Sequence, residues 1–359
     1  MDIPDIIILK PNRVWRSYLG GKFLDKLEGK PTPQDSFFPE DWIASTTRAI
    51  NKGREHLEDE GLSKVDINEI EYKLIDLIIQ NPKELIGKEH YKKYGPTTQF
   101  LLKYLDSAIR LHIQCHPTIP FAKRFLNSDS GKTEAYYILA IRENIKNPYI
   151  YLGFQHPPTK EDFKKTIENQ DIDKLLSYFK KISIKPGDTF IVPGGLPHAI
   201  GGGVFMIEIL EPTDFCVRAE FERGGYVLPI ESRFMNKGID FALSMFNYYK
   251  ISKEEVQSKY FLKPKMSKKY NKDSIEYILI DESVTVCFRL KKLIVKGEIE
   301  KNEDSFYIGI VISGEGFILA KNKQYKIEVG DKFFIPNITK EVFFKSDNGI
   351  EIIIALPPL

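Results

Sequence analysis

The sequence predicts a mainly β protein, two related antiparallel barrels in one chain with helical insertions, and three observations predict it. The segments IKPGDTFIVP (184–193) and IEVGDKFFIP (327–336) share the skeleton I-x-x-G-D-x-F-x-(I/V)-P. Strand-like runs follow one another from Tyr277 to the end. The helical patterns fall between strand patterns without βαβ alternation. In the repeat, Gly-Asp makes a tight turn, because glycine accepts positive φ and the aspartate side chain can bond nearby backbone. A short apolar run follows and stops at Pro193 or Pro336, since proline cannot donate to a strand ladder. Turn, strand and stop describe an element of a small antiparallel barrel, and its recurrence argues for two related β-units.

The copies then diverge. Five residues after Pro193 comes His198; five after Pro336 comes Glu341. The first copy carries Gly194, Gly195, Pro197 and Gly201-Gly202-Gly203, a loop suited to close backbone approach; the second has Asn337, Ile338, Thr339 and Lys340. The first unit is therefore expected to bear the site and the second to be its structural partner.

Helical spacing of Ile67, Ile70, Leu74, Leu77 and Ile78 predicts a helix over 66–80. Helical or turn structure is expected at 82–86 and 90–94, and two short amphipathic helices at 160–170 and 172–181, the first capped at Thr159. Residues 229–249 and 253–260 also have a helical pattern. Strands are expected at 277–280, 284–290, 306–312, 316–320, 324–327, 332–335 and 351–356. The expected organisation is a catalytic unit from 1–60 and 96–228, a helical insertion at 61–95, a helical connection at 229–262, and a degenerate C-terminal barrel at 263–359.

Composition narrows the function classes. Fifty-two basic residues balance 50 acidic ones for a net charge of +2, which gives no electrostatic reason to expect nucleic acid or a membrane surface. The densest basic stretch, five lysines within 263–272, is expected to be a solvated linker. The longest apolar runs, 6–9 and 350–356, fall short of a membrane span, and the first residues show no signal-peptide pattern. Cys115, Cys216 and Cys287 are few, separated and without CxxC spacing, which suits a reducing compartment such as the cytoplasm.

Three segments carry metal-ligand chemistry. In Leu111-His112-Ile113-Gln114-Cys115-His116-Pro117, Gln114 and His116 are two apart, so on a strand they share a face that Cys115 does not. Gly131-Lys132-Thr133-Glu134 leads into the apolar run 135–140, placing Glu134 at a strand entrance. Gly194-Gly195-Leu196-Pro197-His198 supplies a loop-to-strand histidine. Two imidazoles, a carboxylate and an amide oxygen suit zinc or a similar borderline metal, with space for a further ligand. His56, His90 and His156 have no such company.

These segments carry a resemblance. L-H-I-Q-C-H-P resembles the L-S-I-Q-x-H-P signature of class I mannose-6-phosphate isomerases, the cupin-type family. G-K-T-E ending at Glu134 resembles that family's G-K-(T/P)-E, and Pro193 to His198-Ala-Ile resembles P-x-G-x-x-H-A-(I/Y). The run from Glu208 to Asp214 and Arg218 resembles its S-D-x-x-x-R stretch. Leu9-Lys-Pro, Glu40-Asp-Trp42-Ile-Ala-Ser45 and Phe100-Leu-Leu-Lys103 look like further family positions. The match runs in order from about residue 8 to about 245.

The resemblance implies two cupin (jelly-roll) barrels and interconversion of mannose 6-phosphate and fructose 6-phosphate through an enediol. It implies one zinc ion, with Gln114, His116, Glu134 and His198 as ligands. Arg218 is the candidate for stabilising the enediolate or holding phosphate. Lys132 is a candidate for phosphate binding or proton transfer, and Asp214 for proton transfer or for orienting Arg218. Lys103 and His112 complete the expected substrate contacts. Two departures stand out: His112 replaces the family's serine, and Thr118-Ile119-Pro120 replaces acidic residues after H-P. The alternatives are a cupin isomerase acting on another sugar or sugar phosphate, a non-catalytic sugar-binding cupin, and an iron cupin dioxygenase. Lys132 and Arg218 favour an anionic sugar over dioxygen.

Overall fold

The repeated turn closes the same way twice. In the computed structural model, which describes residues 2–321 and 323–359, Gly187 and Gly330 take φ of 87° and 97°. Asp188 accepts from the Lys185 amide at 2.9 Å, and Asp331 from the Glu328 amide at 2.8 Å. Each turn is also sewn to an earlier strand, Glu134–Ile141 or Tyr307–Ala320, by a reciprocal pair. Gly187 N donates to Ile138 O and Ile138 N to Asp188 O; Gly330 N donates to Val311 O and Val311 N to Asp331 O. The strands Thr189–Val192 and Lys332–Ile335 follow, as expected.

The chain is mainly β and stacks in layers. A seven-stranded sheet runs in the order Phe261–Leu262, Thr189–Val192, Glu134–Ile141, Val204–Leu210, Leu101–Ser107, Glu40–Ile43, Arg13–Val14. A five-stranded sheet has the order Ile182–Ser183, Tyr149–Leu152, His198–Ile200, Gln114–Cys115, Val217–Arg218. An eight-stranded sheet is built around the long strands Arg289–Glu300, Tyr307–Ala320 and Val342–Leu356 and also takes in Ile7–Ile8 from the N-terminal end.

Strand parity sorts the seven-stranded sheet's side chains into two cores. Leu102, Tyr104, Ala135, Tyr137, Ile207 and Ile209 pack with Phe306, Ile308, Ile310 and Ile353 of the eight-stranded sheet. Leu105, Tyr136, Ile138, Phe190 and Met206 face the five-stranded sheet through Leu152 and Ile200. Burial on both faces explains why these strands read as continuous apolar runs rather than as alternation. The helices Lys160–Glu168, Ile172–Ser177 and Ile239–Leu243 cover the outer face of the five-stranded sheet. Among the described residues no helix is long and apolar enough to cross a membrane.

Several expected elements change. The helix predicted over 66–80 is a hairpin, Lys64–Ile67 with Ile70–Lys73, followed by a shorter helix, Leu74–Gln80. Asn68 and Glu69, at φ 50° and 66°, form its two-residue turn, a hairpin conformation that Asn favours. The misleading residue is Ile70, which completes the helical spacing yet is 56% exposed. The lysine-rich 263–272 is not a linker: Lys265–Lys269 is an exposed strand at the edge of the eight-stranded sheet. Lysines there discourage pairing with another chain. The helix expected over 229–249 breaks into Ile230–Arg233 and Ile239–Leu243, because Met235, Asn236 and Gly238 all take positive φ. The strand expected over 284–290 begins only at Arg289, whereas 306–312 and 316–320 merge into one.

Candidate active site and metal centre

The site lies between the seven- and five-stranded sheets. On the five-stranded sheet, Gln114 is paired on one side with His198 and on the other with Arg218. Residues directly opposite on neighbouring antiparallel strands point to the same face, so these three side chains form one row. Cys115, between Gln114 and His116, faces the opposite core, as strand parity requires. On the seven-stranded sheet, Trp42, Lys103, Glu208 and Tyr136 form the facing row, and Glu134 lies two residues before Tyr136.

Three loops deliver the ligand-type residues, and the adjacent carbonyls of His116 and Pro117 join them. Pro117 O accepts from the Lys132 amide at 2.9 Å, and the neighbouring His116 O accepts from the Gly195 amide at 2.8 Å. A Cβ on Gly131 or on Gly194 would sit 2.6 or 2.5 Å from Pro117 O, so both positions must be glycine for the segments to meet. Glu211 holds the second segment by accepting from the amides of Gly131 and Thr133 at 2.8 and 2.9 Å.

The result is a buried trio. His116, Glu134 and His198 each offer a ligand atom, all within 4.8 Å of one another. His116 Nε2 is 3.1 Å from Glu134 Oε1, and His198 Nε2 is 3.3 Å from Glu134 Oε2. The hydrogen-bond partners fix what these nitrogens carry. His116 Nδ1 faces Phe215 O at 2.8 Å and His198 Nδ1 faces Leu196 O at 2.9 Å. A carbonyl only accepts, so each Nδ1 bears a hydrogen, and in the neutral ring each Nε2 carries the lone pair. Burial pushes His116 down to about 3 despite the Glu134 charge, so it has no second proton to give. Lone pairs of two imidazoles thus face a carboxylate in a dry site, a repulsive arrangement that a cation between them relieves. The Nδ1–H···O=C bonds are those that orient metal-bound histidines. The donor set therefore fits a divalent metal. Gln114 reaches the same space, its amide end 3.3 Å from His198 Nε2 and 3.2 Å from the Cys216 thiol.

Charged groups crowd the adjoining cavity, which is lined by Arg16, Glu40, Lys103, His112, Gln114, Lys132, Glu134, Glu208 and Arg218 among others. Lys132 Nζ lies 3.2 Å from Glu134 Oε1. Glu134 is held below the usual carboxylate range: burial opposes this, but the Lys132 ammonium outweighs it. Tyr136 donates to Glu134 Oε2 at 2.5 Å. Glu208 is pushed up to about 8 by burial, with the Glu134 and Glu40 charges adding to the rise and the Lys103 ammonium, 2.9 Å away, opposing it.

The remaining expected residues divide. Arg218 is half-buried in the cavity wall, steadied by Ser232 O at 3.1 Å. Lys103 is buried between two glutamates rather than free toward solvent. Asp214 does not orient Arg218, because Arg16 clamps both its oxygens at 2.9 and 2.8 Å. Its carboxyl lies well below the usual range; burial works against this, and the Arg16 charge overrides it. Asp214 is absent from the cavity lining, which argues against a part in proton transfer. His112 is buried and pushed down to about 3, by burial first and then by the Arg218 charge. Sequence reasoning missed Arg16 and gave Glu208 no role of its own. Arg16 is 198 residues from Asp214 and belongs to no spacing pattern, whereas Glu208 was findable, being a carboxylate inside an otherwise apolar strand.

Comparison with known proteins bears on this geometry. Residues 284–355 match the family model described as mannose-6-phosphate isomerase, cupin domain. The probable mannose-6-phosphate isomerase GmuF of Bacillus subtilis (strain 168) is 29% identical over 77% of this chain and 80% of its own. The chain is therefore similar over most of its length to mannose-6-phosphate isomerases and, over residues 284–355, to their cupin domain. Solved structures share its fold. The mannose 6-phosphate isomerase of Bacillus subtilis superposes with a TM-score of 0.74 at 21% identity, over 98% of this chain and 99% of that one. A zinc-bound mannose 6-phosphate isomerase superposes at 0.73 and 16% identity, over 99% and 100%.

Proposed function

We propose that the protein is a zinc-dependent aldose–ketose isomerase that interconverts mannose 6-phosphate and fructose 6-phosphate. One observation carries the reading: the lone pairs of His116 and His198 and the Glu134 carboxylate converge in a cavity that also holds Lys132 and Arg218. The named relatives and the zinc in one structural neighbour support it. His116, Glu134, His198 and Gln114 would hold the metal, which when bound supplies a Lewis acid for a sugar oxygen.

The chain's own residues supply the rest. Arg218 presents a permanently charged planar fork suited to phosphate or to developing oxygen charge. Lys132, anchored on Glu134, adds a second cation within reach of the sugar. Moving a proton between C1 and C2 needs a group that both takes and returns it, and efficiency is best when its pKa lies near working pH. Of the cavity groups whose pKa is displaced, Glu208 alone is moved toward neutrality, so we assign it proton transfer in place of Asp214. Arg16, Asp214 and Glu40 act as positioning residues. We also read the architecture as two cupin barrels divided as the sequence predicts, a reading supported by the twice-made Gly-Asp turn. A cytoplasmic setting is supported by three free cysteines.

Metal analysis of protein purified without added metal, run beside a coupled assay on mannose 6-phosphate, other aldose phosphates and free mannose, tests the reading. Zinc with turnover of mannose 6-phosphate is expected. Iron with oxygen uptake would point to a dioxygenase, and metal without turnover of any sugar to a binding protein. Arg218→Ala should retain the metal and lose about a hundredfold or more in kcat; a rise in KM alone would make Arg218 a binding group only. Glu208→Gln, isosteric and unable to cycle a proton, should also keep the metal and lose about a hundredfold in kcat. A near-normal rate would remove Glu208 from proton transfer.

A further inference from the structure

His112 is a cavity residue whose hydrogen bonding is half finished. It is 2% exposed. Its Nδ1 lies 3.1 Å from Glu220 O, while its Nε2 is buried with no partner among the described residues. The residue that anchors the ring is itself held in place. Glu220 is fully buried, grips Arg110 through both carboxylate oxygens at 2.6 and 2.5 Å, and accepts from the Ile113 amide at 2.7 Å. Since the Glu220 carbonyl can only accept, Nδ1 bears the hydrogen, and in the neutral ring Nε2 is an acceptor. The two nitrogens lie on opposite sides of the ring, so Nε2 points away from the Glu220 carbonyl, and His112 lines the cavity together with Gln114 and Arg218. A buried acceptor without a donor costs free energy, and a ligand that brings a donor recovers it.

This fixes what His112 can recognise. A phosphate dianion offers only acceptor oxygens, and a lone pair turned toward them repels. A sugar hydroxyl offers a hydrogen. We infer that His112 is a specificity-determining residue whose Nε2 accepts a hydrogen bond from a hydroxyl of the bound sugar, leaving the phosphate to the neighbouring cations. The inference rests on the sugar-phosphate reading of the cavity and refines it, because the sugar is read by its hydroxyls at the position where the resembling segment has serine. A site with a fixed acceptor discriminates against a ligand lacking the matching donor, since the acceptor is then left unpaired.

The test compares two ligands on the full-length, zinc-loaded protein by calorimetry: inorganic phosphate and sorbitol 6-phosphate, a polyol phosphate that cannot be isomerised. His112→Phe keeps a ring but removes the acceptor; His112→Gln returns an acceptor oxygen at similar reach. The Phe variant should bind sorbitol 6-phosphate about tenfold more weakly with its affinity for inorganic phosphate unchanged, and the Gln variant should recover most of the loss. Should the Phe variant fail to fold, the Gln variant and His112→Ser carry the same comparison, with Ser retaining a shorter acceptor and an intermediate loss. Parallel weakening of both ligands, no weakening of either, or no binding of sorbitol 6-phosphate by the unsubstituted protein would overturn the assignment. Turnover of mannose 6-phosphate is measured separately. Its absence would sink the isomerase reading while the two binding arms still decide the role of His112.

Discussion

His198→Ala is expected to yield a folded protein that no longer retains zinc and no longer turns over substrate. The imidazole supplies one of three ligand atoms that lie within 4.8 Å of one another. Losing a mere outer-sphere partner already costs about 10- to 100-fold in metal affinity, and losing a ligand should cost more than about a hundredfold on the same scale. The fold should survive, because the ring's one bond to the backbone is local, to Leu196 O. Metal content by plasma spectrometry and the coupled assay check it together. Zinc retained with a near-normal rate would break the ligand assignment, whatever the geometry.

Arg16→Ala is expected to be the most destabilising change in the cavity wall. Arg16 is buried, meets Asp214 through two bonds and lies 3.5 Å from Glu40. Removing one partner of a buried pair strands the other charge, at a cost of about 3–5 kcal/mol. Denaturant titration should show the loss, and Arg16→Met combined with Asp214→Leu should restore much of it. The pH dependence has a definite sign. Arg16 holds Asp214 below its unfolded value, so this contribution is complete at neutral pH and fades as pH falls below about 4. The Arg16→Ala protein should therefore have a shallower acid limb. A loss under about 1 kcal/mol would mean the pair behaves like an exposed one.

What the sequence revealed, and what it hid, follows from the range of the interactions. The Gly-Asp turn was legible because its hydrogen bonds span three residues, and the parity of Gln114, Cys115 and His116 because a strand alternates by geometry alone. The hairpin at 64–73 was hidden because Ile67, Leu74, Leu77 and Ile78 are all buried at helical spacing, though a turn at Asn68-Glu69 separates them. Arg16 was hidden for the opposite reason: its meaning comes from a partner 198 residues away, which no local pattern encodes. The tautomers of His116, His198 and His112 depend on carbonyls of Phe215, Leu196 and Glu220, which the fold supplies, and so they emerge only in three dimensions.

The shared anchorage at Pro117 means that the three arms of the cage are not independent clamps. Peeling back the Gly131 or Gly194 segment would release the amide held at Pro117 O or His116 O and carry a ligand away with it. Local opening should thus be cooperative. In hydrogen exchange, the amides of Lys132 and Gly195 should exchange together as one slow unit, and metal escape should be timed by that single event rather than by three separate ones.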